Sequence, residues 1–99
     1  MTVMDNVIKN MVAEFAKYPE ITKAVLFGSR ARGDNSERSD YDVAVYGELP
    51  QRNKTLLRYF CSEELPTLHK VDLIFMQEQP QSTFTDNIEK DGITIYENA

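Results

Sequence analysis

The sequence predicts an α/β (α+β) domain, a small mixed β-sheet with helices on one face. Two observations carry this. Apolar residues alternate along the chain between helical spacing and short strand-like runs, and Gly or Pro marks most of the junctions between them. The resulting order, α-β-(short α)-β-α-β-α-β, is that of a sheet backed by helices. Ninety-nine residues make one domain, residues 1–99, large enough for a core but near the lower end of usual domain size.

Met4, Val7, Ile8, Met11, Val12 and Phe15 follow the i, i+3, i+4, i+7 spacing of an amphipathic helix. Thr2 is the expected N-cap, and Pro19 a stop after Tyr18. A first strand is expected over Lys23–Phe27. Gly28 breaks it, and Ser29 caps a helical turn through Arg32 before Gly33-Asp34-Asn35-Ser36 loops back. The second strand runs from Tyr41 to Tyr46 and ends at Gly47 and Pro50. A helix over Gln51–Leu65 follows, with Leu56, Leu57 and Phe60 on the buried stripe and Pro66 as its end. Val71–Phe75 is a third strand. A short helix over Ser82–Glu89 leads to the turn Asp91-Gly92 and a closing strand, Ile93–Tyr96. Alternation turns Val43, Val45, Val71, Leu73 and Phe75 toward the helices, leaving Asp40, Asp42 and Asp72 on the opposite face.

A net charge of −5 argues against general nucleic-acid binding, which relies on clustered Lys and Arg. Lys23, Arg30, Arg32 and Arg38 nevertheless fall around the Gly-Ser segment, and Arg30 and Arg32 follow it directly. No apolar stretch approaches the roughly 20 residues that cross a bilayer, and no secretory h-region follows Met1, so the expected location is cytoplasmic, with no membrane contact. The single cysteine, Cys61, permits no internal disulfide and reads as an ordinary packed thiol.

The chemistry concentrates in GSRARGDNSERSDYD, residues 28–42. Asp40 and Asp42 point the same way from a strand start, about 6.5 Å apart. The neighbouring strand adds Asp72, a charge within an apolar run that is costly to bury without a partner. Magnesium takes oxygen ligands, commonly one or two carboxylates with substrate phosphates. Two such ions can clamp the attacking and leaving oxygens of a phosphoryl displacement. Asp40 and Asp42 would bridge both ions. Asp72 would complete the one nearer the nucleophile and take the proton of an attacking hydroxyl. Backbone N–H groups at Gly28-Ser29 would hold the phosphates of a nucleoside triphosphate. An EF-hand beginning at Asp34 fails, because Ser39 and Val45 stand where Gly and Glu are needed, and there is no Gly-Lys-Ser/Thr for a P-loop. His69, the only histidine, reads as a surface residue.

The pattern Gly28-Ser29-x10-Asp40-x-Asp42 with a later Asp72 resembles the signature of DNA polymerase β-type nucleotidyltransferases. The segment GSRARGD and the chain length are most similar to the minimal members, and the element order matches over nearly the whole chain. The resemblance implies phosphate contacts from Gly28, Ser29 and Arg30, and magnesium at the catalytic carboxylates Asp40, Asp42 and Asp72. Similarity to antitoxins of HEPN/MNT toxin–antitoxin pairs further implies transfer of AMP from ATP to a tyrosine of a HEPN-domain toxin. Two alternatives stand beside it: the same chemistry on a small molecule or RNA end, and a non-catalytic subunit that neutralises its partner by contact.

Overall fold

The computed structural model describes residues 5–33 and 40–98. The amphipathic N-terminal segment forms α1 (Asn6–Phe15), capped by Asp5, whose carboxylate accepts from the Ile8 N–H at 2.9 Å. Asp5 itself is extended, so the described helix starts there, and Thr2 lies outside the described residues. β1 spans Ile21–Phe27, two residues earlier than expected, and a single helical turn, α2, covers Ser29–Arg32. β2 (Tyr41–Gly47) leads to α3 (Gln51–Tyr59), which loosens into a π-type turn over Phe60–Glu64. β3 (Val71–Phe75), α4 (Thr83–Asp91) and β4 (Ile93–Glu97) complete the order.

The strands lie in the order β3-β2-β1-β4. β1 is antiparallel to both its neighbours, whereas β2 and β3 run parallel. The parallel pair follows from the long α3 crossover, since parallel neighbours cannot be joined by a tight turn. One face of the sheet presents Ala24, Leu26, Val43, Val45, Leu73 and Phe75. Against it pack Ile8, Met11 and Phe15 of α1 with Leu57 and Cys61 of α3 and its extension.

Two expectations are revised. Leu56 faces outward at 47% exposure, and the buried stripe is Lys54 and Leu57 of α3 with Cys61 of the turn that extends it. Leu56 and Leu57 are neighbours about 100° apart on the helix, so one stripe does not bury both fully. Lys54 is tolerated inside because its ammonium meets Glu78 at 2.7 Å and lies over the Phe75 ring. Nor do the helices keep to one face: α4 lies on the other, where Ile88 packs with Val25 and Ala44. Its N-terminus is fixed by a reciprocal capping box between Ser82 and Thr85. The reason is visible in β1 and β2, which carry apolar residues on both parities, the pattern of strands covered on both sides.

Candidate active site

β1 ends at Phe27, and its β2 partner is Asp42; Asp42 in turn is the register partner of Asp72 on β3. Adjacent strands lie about 4.8 Å apart. The two carboxylates therefore stand side by side, on the α4 face that also carries Ala44 and Ile74. Asp40, exposed, immediately precedes β2.

Gly28 joins this pair to the short α2. Its φ of 76° lies in the region that favours glycine, and a Cβ there would sit 2.4 Å from the Asp42 carboxylate. The turn thus passes directly over the carboxylate because residue 28 has no side chain. The Gly28 carbonyl accepts from the N–H groups of Ala31 and Arg32, both at 3.1 Å, winding the chain into one turn that begins at Ser29. Gly33 closes it in the left-handed conformation.

The charges converge on Asp42. Partial burial is the main cause raising its carboxyl above the ordinary aspartate value, with Asp72 and then Asp40 adding repulsion; Lys70 and Arg32 oppose the rise. Both of the other sequence-predicted aspartates, Asp72 and Asp40, therefore act on Asp42. Lys70 pairs with Asp72 at 3.5 Å, a cation that sequence reading passed over; its position two residues before Asp72 was the available signal.

The two arginines of α2 part company. Arg30 stacks its guanidinium on the Tyr41 ring, 3.9 Å from its centre, whereas it is Arg32 whose charge reaches Asp42. Tyr41 is buried, donates to Asp5 at 2.7 Å and takes the His69 ring edge-on. Burial, followed by that hydrogen bond, pushes its hydroxyl up to about 12. Lys23, grouped with these cations by sequence, instead lies over Tyr46 toward the other end of β1, and Arg38 is outside the described residues. Cys61 is buried and its thiol is pushed up to about 12, chiefly by desolvation, which makes it unreactive.

Among the described residues, no three acidic, histidine or cysteine side chains form a complete metal cage. The donor set still fits magnesium, which is ordinarily held by one or two carboxylates and completed by substrate phosphates and water. Asp42 and Asp72 offer those carboxylates side by side, with Asp40 at the rim and the Gly28 backbone open toward them.

The polymerase β nucleotidyltransferase family model matches residues 9–99. The chain belongs to this family. A comparison with curated proteins finds no match. Among solved structures, this family member resembles a toxin–antitoxin complex with AMP-PNP (TM-score 0.65, 23% identity, 94% of this chain and 73% of that one). It also resembles an MntA–HpeT toxin–antitoxin complex bearing two Asp→Glu changes (TM-score 0.66, 19% identity, 96% of this chain and 75% of that one). These likenesses establish the nucleotidyltransferase fold. No helix among the described residues is long and apolar enough to cross a membrane.

Proposed function

We propose that the chain is a magnesium-dependent nucleotidyltransferase that moves AMP from ATP onto a hydroxyl of a partner HEPN-type toxin, a tyrosine, and thereby silences it. The observation that carries this reading is the register Phe27–Asp42–Asp72, with Gly28 opened directly onto the Asp42 carboxylate. It gathers carboxylates and a backbone phosphate turn at one place in a chain of the nucleotidyltransferase family. The AMP-PNP and toxin partner of the similar structures support the choice of ATP and of a protein acceptor.

In this reading Asp40, Asp42 and Asp72 would hold two magnesium ions, a group whose chemistry there would be to stabilise negative charge on the attacking and leaving oxygens. The Gly28-Ser29 backbone and the Ser29 hydroxyl bind the β- and γ-phosphates, and Arg32 orients them from the same turn. Arg30, the phosphate contact expected from sequence, would add a second cation from that turn, its guanidinium stacked on the Tyr41 ring. Asp72 accepts the proton of the acceptor hydroxyl. The new bond joins that oxygen to the α-phosphorus, the α–β bridging bond breaks, and pyrophosphate leaves.

The test is intact-mass analysis of a HEPN-domain protein, should one be encoded beside this chain, after incubation with the chain, ATP and magnesium. The toxin should gain one or more AMP-sized increments with the native chain and none with Asp72→Asn. A toxin silenced without any mass change would replace this reading with neutralisation by contact.

A further inference from the structure

Lys70 has no part in the reading above, yet it occupies a telling position. Its carbonyl is fixed by the Tyr41 N–H at 2.9 Å, so its backbone is tied to the start of β2. Its ammonium lies 3.5 Å from Asp72 Oδ1, while the lysine side chain remains 69% exposed. The cation is therefore anchored at its root, while its ion-paired tip stays open to solvent. In the metal-free chain its charge opposes the repulsion that Asp72 and Asp40 exert on Asp42.

A magnesium or manganese ion binds carboxylate oxygen directly, at about 2.0–2.1 Å for magnesium. An ammonium retained on the same oxygen would then face a divalent charge within a few ångströms. The carboxylate has lone pairs enough for both, but the two positive charges repel, so each cation weakens the hold of the other. An exposed ion pair is cheap to break, so displacement is feasible but opposed. A nucleotide changes the balance, because its phosphates bring negative charge against which the displaced ammonium can settle.

We propose that Lys70 is a built-in competitor for the divalent cation at Asp72, so that the metal loads with the nucleotide rather than ahead of it. The inference rests on the metal site proposed above and concerns how that site is filled. The 99-residue chain should be titrated with Mn2+ alone, free Mn2+ being read by electron paramagnetic resonance, for native, Lys70→Met, Lys70→Arg and Asp42→Asn. Lys70→Met should bind Mn2+ about three- to ten-fold more tightly than native, the scale of one exposed ion pair plus one removed like charge. Lys70→Arg, which keeps the cation, should stay near native, and a non-hydrolysable ATP analogue should narrow the gap between native and Lys70→Met. Circular dichroism should show the same fold in each, since the Lys70 side chain is mostly exposed.

Mn2+ binding by Lys70→Met that is no tighter than native would overturn the proposal. If native then still binds and Asp42→Asn does not, the metal site stands and the role of Lys70 alone falls. Absence of saturable binding in both native and Lys70→Met would overturn the site and this inference together.

Discussion

At the scale of single residues, the raised carboxyl of Asp42 has a signed consequence. A carboxyl whose folded value exceeds its unfolded one binds its proton more tightly in the native state, so its ionisation costs stability as pH rises through that range. Asp42→Asn removes the cost. The metal-free variant should melt higher than native at pH 7, with the advantage shrinking as pH falls through the raised folded value and gone below 3.8, the ordinary aspartate value. The same variant should lose transfer. Thermal melts at the two pH values and the mass assay check both halves, and a variant that melts lower at pH 7 would contradict the described electrostatics. Ser29→Ala should cost less, about two- to ten-fold in activity, the worth of one neutral hydrogen bond. Gly28→Val should approach complete loss, because its side chain would occupy the space of the Asp42 carboxylate. The carboxylates and the Gly-Ser turn were legible in sequence because their relation is set by local spacing and strand alternation. The division of labour between Arg30 and Arg32 was not. Two positions along one helical turn rotate a side chain by about 200°, and sequence alone does not show that Arg30 stacks on Tyr41 while the charge of Arg32 reaches Asp42.

At the scale of elements, the two adjacent leucines of α3 separate the sequence reading from the fold. Leu57→Ala should lower stability by about 2–5 kcal/mol, as truncation of a fully buried leucine does, whereas Leu56→Ala should change it by less than about 1 kcal/mol. Urea unfolding of the two variants distinguishes them. The link between α1 and β2 gives a second expectation. Tyr41 is held to about 12 against an ordinary 10, so it contributes stability that is complete below pH 10 and lost as pH rises toward 12. Tyr41→Phe should cost roughly 0.5–1.5 kcal/mol at pH 7 and should lessen the loss of stability over pH 10–12, readable from alkaline melts. Element order was legible throughout, since each element carries its own apolar period. The face chosen by α4 was harder to read, because Val25 and Ala44 lie within continuous apolar runs that do not declare which side is covered by what.

At the scale of the molecule, a net charge of −5 bears on association. If the partner is cationic, its on-rate should fall steeply between low and physiological salt, with a smaller change in dissociation. Stopped-flow mixing at several salt concentrations checks this, and a salt-independent on-rate would remove electrostatic steering from the proposal.

The strand order also sets an expected sequence of events during folding. β1 is flanked by β2, which follows it in the chain after about a dozen residues, and by β4, which follows after more than sixty. Closing the longer loop costs roughly 1.4 kcal/mol more entropy than closing the shorter one, so the β1–β2 pairing should form first. The Asp42 partner of Phe27 belongs to that early pair, whereas β4 arrives last to cover an otherwise open edge of β1. In pulsed hydrogen exchange, amides of β1 facing β2 should gain protection before those facing β4. Until β4 docks, the nascent domain presents an unpaired, strongly apolar strand, so slow folding would expose it to edge-to-edge aggregation.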